Sequence, residues 1–287
     1  MGKNSKVYLH RRAGRRKKAL SSSLIASIVI SAIYIGAFYA FGRCGDPHES
    51  IGTAQYGNCL EKVILPDELP SITKQYTGFS LSFNPTWHVP NYVAWELTAS
   101  ETDGASPRKS NFKPDNDILG SPQLDDYRKS GFDRGHMAPA ADMKWSAEAM
   151  DDSHYLTNMC PQDRSVNGGC WSTLENKCRQ WARRDSAIII ISGPILTDEI
   201  NHTIGKSKVA VPERFFKVIL SPYVNPPRAI GFIVPNSPTR DGIQSMAVSV
   251  DQIEQLTGFD FFSCLPDNIE TEVEQQAKYH DFDRRKR

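Results

Sequence analysis

The chain has 287 residues, enough for one or two domains with a sizeable core. Hydrophobic residues at 39%, charged residues at 23%, and scattered glycine (19) and proline (18) exclude a collagen-like or disordered chain. The net charge of +1 hides an asymmetry: residues 1–18 carry eight Lys/Arg and no acid, so the rest holds 26 basic against 33 acidic side chains, or −7, which excludes a globally basic, histone-like binder.

In chain order, the basic flank from Lys3 to Lys18 precedes an uncharged, largely apolar run of 24 residues, 19–42, with Tyr34, Phe38, Tyr39 and Phe41 near its far end. About 20 apolar residues span a bilayer as a helix, and basic flanks stay cytoplasmic. The expectation is a single-pass signal-anchor. Its N-terminus would be cytoplasmic and the body would lie on the periplasmic side of a bacterial envelope. A cleaved signal with a secreted product, or targeting to a mitochondrial intermembrane space, are the alternatives. Residues 43–71 read as a spacer.

The folded domain is expected over 72–268. Residues 79–84 and 92–98 alternate as strands, and 100–130 form a long polar loop. Short and longer helices are expected at 146–152 and 171–184; in the second, Trp171, Leu174, Cys178 and Trp181 recur at helical spacing. The continuous apolar run 187–192 is a strand buried on both faces, followed by strands at 215–220 and 229–235. Ser249 and Gln252 form a capping box, and Gly258 stops the helix they open. The tail, 269–287, is polar and read as disordered. Strands and helices mix without a βαβ repeat, so the fold class is α+β.

Six cysteines, at 44, 59, 160, 170, 178 and 264, fit an oxidising compartment. Their spacings resemble no zinc site, and 15 pairings are possible. Packed free thiols are the other reading.

The chemistry concentrates in Asp133-Arg134-Gly135-His136 and in the stretch from Asn158 to Arg179. Gly135 allows the backbone beside His136 to approach another group closely, and neutral imidazole accepts a proton near neutral pH. Asn167, Glu175 and Arg179 stand 8 and 4 residues apart, so one helix would bring amide oxygen, carboxylate and guanidinium onto neighbouring faces. Hard oxygen donors suit Mg²⁺, and Arg suits a phosphate oxygen. Taken singly, each feature has a plainer reading: Glu175 and Arg179 as an i,i+4 ion pair, Asn167 as a helix cap, Asp133 and Arg134 as a local salt bridge.

Taken in order, Asp133-Arg134-Gly135-His136 resembles the DRGH signature of the DNA/RNA non-specific endonuclease family. Asn158, Pro161, Gln162, Asn167, Trp171, Leu174, Glu175 and Arg179 match the family's downstream pattern. The resemblance implies a ββα-metal domain with a central mixed or antiparallel sheet. It also implies hydrolysis of DNA and RNA to 5′-phosphate products with Mg²⁺, for which Mn²⁺ can substitute. His136 resembles the general base and Asn167 the direct metal ligand. Glu175 resembles the carboxylate that holds the metal through water, Arg179 a phosphate contact, and Asn158 a residue of the site. Arg134 resembles a group that orients the His segment near substrate. A further substrate arginine falls on Arg108, with Lys109 as the alternative. A homodimer is the partner implied besides nucleic acid; the sequence leaves open whether an inhibitor protein acts on the enzyme. A non-catalytic nucleic-acid-binding protein on this fold, and a hydrolase pairing Cys160 with His136, are the competing readings.

Overall fold

The computed structural model describes residues 57–108, 111–196 and 200–284. Contacts divide the chain into Met1–Pro47 and His48–Arg287, and every described residue lies in the second unit. The expected anchor at 19–42, Cys44 and Lys109 fall outside the described residues.

Thirteen strands occur among the described residues. In chain order these are β1 (Val63–Ile64), β2 (Ile72–Gln75), β3 (Ser80–Asn84), β4 (Val89–Thr98), β5 (Asp133–His136), β6 (Met159–Gln162) and β7 (Ala187–Ile195). They continue as β8 (Thr203–Ile204), β9 (Val209–Ala210), β10 (Arg214–Ser221), β11 (Arg228–Pro235), β12 (Ala247–Val248) and β13 (Asp260–Phe261). Seven of them make one antiparallel sheet in the order β12-β11-β10-β7-β4-β3-β2. The strands β5 and β6 pair separately, antiparallel, with Gly135 opposite Cys160 and His136 opposite Met159. The mixed strand and helix content and the antiparallel central sheet agree with the α+β reading.

The apolar run in β7 is explained by burial on both faces. Ile188 and Ile190 join one core layer, and Ile189 and Ile191 the other, because successive strand residues point to opposite sides. The first layer is closed by the long helix Ser172–Asp185, which buries Leu174, Cys178, Trp181 and Ala182 against Trp95, Phe215 and Phe232. The second is closed by helix Val250–Thr257 and by Phe259, Phe261, Phe262 and Leu265. Ser249 and Gln252 make the expected capping box, and Gly258 ends that helix at φ 71, a left-handed value glycine adopts without a Cβ penalty.

Two sequence expectations change, and the two cysteine readings each hold in part. The spacer is in part folded: Leu60 is buried in the second layer, and Cys59 is disulfide-bonded to Cys264, with Cα atoms 6.2 Å apart. The tail is not structureless through residue 284. Helices Asp267–Glu274 and Tyr279–Asp283 bury Val273, Tyr279 and Phe282, and Phe282 packs edge-on to Trp181 at 4.9 Å. Cys160, Cys170 and Cys178 are free thiols.

Candidate active site

The loop before β5, β5 itself and the turn from Arg164 to Asn167 frame a cleft of about 820 Å³. Arg108, Arg128, Lys129, Arg134 and Arg164 line it together with His136, Asn167 and Asp133. Five cations against one carboxylate make this a locally cationic surface on an otherwise acidic body, suited to a polyanion.

Gly135 is required where it stands. A Cβ there would lie 2.3 Å from Gln162 Oε1 and 2.6 Å from Gln162 Cβ, so the close approach expected of this glycine is to the β6 side chain facing it. Gln162 is itself fully buried, and its amide atoms have no hydrogen-bond partner.

His136 is held through its backbone and left open at its ring. Trp171 Nε1 donates to the His136 carbonyl at 3.1 Å. The next residue, Met137, donates to the Asn158 carbonyl and accepts from Ser192 Oγ at 2.9 Å. His136 Nε2 is buried and makes no hydrogen bond. The ring sits 5.3 Å from His154 and 5.5 Å from Phe112. Burial pushes its pKa down to about 3, reinforced by His154, Arg108 and Arg134, so the imidazole is neutral at physiological pH. His154, invisible as a site residue in the sequence, is 1% exposed, with Nδ1 2.8 Å from the Met150 carbonyl.

Asn167 opens a wide turn rather than a regular helix. Residues Asn167–Trp171 wind loosely, and Gly169 leaves helical dihedrals at φ −112, ψ −110, before the α-helix starts at Ser172. The long helix runs as expected from about residue 171, and the condition for sharing one face, a helix that already begins at Asn167, is not met. Asn167 Nδ2 donates to Asp133 Oδ2 at 3.1 Å, which leaves Oδ1 as the amide atom able to accept or to ligate. Asp133 pairs with Arg164 at 3.4 Å, not with Arg134. Arg134 instead lies over the Phe112 ring, 4.2 Å from its centroid.

Glu175 and Arg179 do not line the cleft, and they do not pair with each other. Arg179 Nη1 donates to the buried Asp142 Oδ1 at 2.6 Å and Nη2 to Asn176 Oδ1 at 2.8 Å. Asp142 also accepts from Trp95 Nε1 at 3.3 Å. Glu175 has its pKa raised by burial to about 7; Lys217, Arg179 and Arg108 oppose the rise and Asp142 adds to it. Lys217 is 1% exposed and stands over Trp171 at 4.3 Å and Trp95 at 5.2 Å. Strand alternation could have found it: in β10 it is in phase with Phe215 and Ile219, on the face toward the long helix. Asn158 is also fully buried. Its side chain donates to the Ala138 and Ser153 carbonyls and accepts from Ala138 N, so it clamps the segment after His136 and has no atom left for substrate.

The donor set fits a hard divalent ion. An amide oxygen freed by the Asp133 contact and a nearby carboxylate are oxygen ligands of the kind Mg²⁺ or Mn²⁺ takes. A pairing of Cys160 with His136 does not fit: the thiol is buried, and burial raises its pKa well above the ordinary value, away from the nucleophilic thiolate.

Comparison with known proteins agrees with this geometry. A family model described as "DNA/RNA non-specific endonuclease" matches residues 61–268. The chain belongs to that family. Over 229 residues this nuclease is 35% identical to "Nuclease EXOG, mitochondrial" of Danio rerio, covering 73% of this chain and 67% of that protein. Over 210 residues it is 34% identical to "Nuclease 1, mitochondrial" of Schizosaccharomyces pombe, covering 66% of this chain and 65% of that protein. It thus spans about two thirds of the length of these relatives. It also matches the solved structure "Crystal structure of the EndoG/EndoGI complex: Mechanism of EndoG inhibition", with TM-score 0.63 and 30% identity over 68% of this chain and 86% of that one. This nuclease is a hydrolase, and the family depends on divalent metal.

The comparisons overturn one expectation. The placement as a single-pass protein of a bacterial envelope rested on composition, whereas both relatives are named as mitochondrial nucleases. Among the described residues no helix is long and apolar enough to cross a membrane. The sequence signal misled because a basic flank followed by an apolar run is shared by anchors, secretory signals and organelle-targeting segments.

Proposed function

We propose that this nuclease cleaves DNA and RNA internally, without sugar or sequence preference, in a Mg²⁺-dependent hydrolysis that Mn²⁺ also supports and that leaves 5′ phosphates. The observation that carries the reading is His136, buried and neutral, in a cleft lined by five cations beside Asn167.

Arg108, Arg128, Lys129 and Arg164 attract the sugar-phosphate backbone, which carries no base information, and so account for low specificity. Arg134, fixed against Phe112, presents a planar fork to a phosphate oxygen. Asn167, oriented by Asp133, and Glu175, acting through water, hold the divalent ion. When bound, that ion acts as a Lewis acid on the phosphodiester oxygens. Neutral His136 takes a proton from the attacking water at Nδ1, since Nε2 is shut away from solvent. The incoming phosphate brings the negative charge that favours the imidazolium form. Arg179, spent on Asp142, acts as a positioning residue for the long helix rather than as a direct phosphate contact. Because the attacking group is water and not a ribose 2′-hydroxyl, DNA and RNA are equivalent substrates.

The test uses the purified full chain on supercoiled plasmid and on single-stranded RNA, with Mg²⁺, with EDTA, and as His136→Ala. Loss of cleavage of both polymers in EDTA and in the variant is the expected result. Cleavage that survives in EDTA, or in a folded His136→Ala protein, would overturn the mechanism. Binding of nucleic acid without turnover by the Mg²⁺-loaded wild type would overturn the assignment of this cleft as catalytic.

A further inference from the structure

A second cluster of oxygen donors lies outside the cleft. Asp251 and Glu254 stand on helix Val250–Thr257, and Glu274 ends helix Asp267–Glu274. One carboxylate oxygen from each falls within 4.8 Å of the others, and none of the three residues lines the catalytic cleft.

An acidic cluster alone is common on protein surfaces. This one is distinguished by Glu274. Its residue is 7% exposed, and its Oε1 is buried with no hydrogen-bond partner. A buried carboxylate oxygen without a donor costs free energy unless a cation or a proton meets it. The charged groups that act most strongly on Glu274 are acidic: Glu254, Glu270, Asp251 and Asp260. Among the described residues no ion pair satisfies the cluster; the Phe261 backbone N–H donates to Glu254 Oε1 at 2.9 Å. Left to protons, Glu274 is driven up to about 9 by burial and by those four carboxylates.

We propose that Asp251, Glu254 and Glu274 bind a divalent cation of the calcium class, which ties the two helices together. The donors are all carboxylate oxygens, the ligand type Ca²⁺ prefers. Three oxygens within 4.8 Å of one another are close enough to share one Ca²⁺, whose oxygen ligands sit at about 2.3–2.6 Å in a flexible geometry. Asp251 and Glu254 are half-exposed, which leaves the solvent side open for the waters that complete six to eight ligands. The ion replaces the proton on Glu274 and offsets the repulsion among the five carboxylates. The two helices it joins lie on either side of β13, which follows Gly258 and leads to Cys264 of the disulfide. This site is a structural clip, independent of the reading of the cleft.

The experiment uses the full chain carrying Asn167→Ala, stripped with chelator, so that the proposed catalytic ligand is disabled. CaCl₂ alone, and separately MgCl₂ alone, is titrated calorimetrically, and thermal melting is followed at pH 7.5. The expected result is saturable one-to-one Ca²⁺ binding, weaker Mg²⁺ binding, and a rise in Tm with Ca²⁺. Glu274→Gln keeps the shape and removes the buried charge, so it should melt no lower than its parent without Ca²⁺. It should also weaken Ca²⁺ binding at least tenfold and abolish the Tm rise. Asp251→Asn, at the half-exposed edge, provides the same comparison if Glu274→Gln fails to fold. Absence of Ca²⁺ binding at millimolar concentration, Mg²⁺ binding as tight as Ca²⁺, or an undiminished Tm rise in the variants would each overturn the proposal.

Discussion

Lys217 and Val218 are neighbours on β10, yet they face opposite layers of the molecule. On the Lys217 side the sheet meets the long helix; Lys217 stands over Trp95 and Trp171 and feels the charges of Glu175, Asp142 and Arg179. On the Val218 side it meets Ile189, Ile191, Phe216, Phe261 and Phe262. The difference teaches where this fold places its costs. Buried charges are expensive and contribute little net stability, while apolar area contributes it directly. Both layers contribute apolar burial, but the ionised groups around Lys217 are confined to the face that meets the long helix.

Substitutions on the two sides should therefore fail in different ways. The largest effect is expected for His136→Ala, a loss of about 10²–10⁴-fold in kcat with an unchanged melting curve, measured by plasmid nicking beside circular dichroism. A loss below tenfold would place the base elsewhere. Across the sheet, Phe216→Ala should destabilise by about 3–5 kcal/mol in a urea titration, while kcat per folded molecule stays as in wild type. If that variant lost turnover without losing stability, the division of labour between the layers would fail.

Smaller effects test the supporting groups. Asp133→Asn, which weakens the grip on Asn167, should lower metal affinity or activity about 10–100-fold, and the loss should shrink as Mg²⁺ is raised. Lys217→Met should cost activity in the same range of about 10–100-fold by releasing the charges around Glu175, although it lies under the site and not in the cleft. An effect no larger than that of a surface lysine would remove Lys217 from the machinery.

The smallest effect is a pH slope. The folded pKa of Glu175 is raised from 4.5 to about 7, so the folded metal-free protein holds a proton that the unfolded chain releases. Stability should therefore fall as pH rises from about 4.5 to 7, and Glu175→Gln should flatten that slope. Glu61, also raised to about 7 by burial, and Glu274, raised to about 9, leave a residual slope in the variant. Tm measured at intervals between pH 5 and 8 in EDTA separates the contributions. An identical slope in Glu175→Gln would show that Glu175 does not titrate there.

What the sequence made legible follows the range of the interactions. The isoleucine run of β7, the box at Ser249 and the stop at Gly258 are local patterns, and the structure follows them. Asp133-Arg134-Gly135-His136 was readable as a unit because its chemistry is contiguous. The roles of Lys217, Asp142 and His154 were not readable, since each depends on a partner brought close only by the fold. Arg179 shows the same limit. Its spacing from Glu175 invited an i,i+4 pair, but Asp142, 37 residues earlier, takes it. The break at Gly169 was hidden because a helical spacing count assumes a regular helix. The tail was misread because two short helices anchored by Val273, Tyr279 and Phe282 look polar on average.

The Cys59–Cys264 bond closes a covalent ring across 205 residues of sequence, and that ring contains the whole cleft. A protease that cuts the ring once cannot release a fragment: both new ends remain attached to one molecule. On a non-reducing gel the nicked enzyme should run as a single species, and it should separate into two only when a thiol is added. Intactness judged without reductant is thus blind to internal cleavage. A chain severed in the long loop before β5 could keep its two pieces in register and go on turning over.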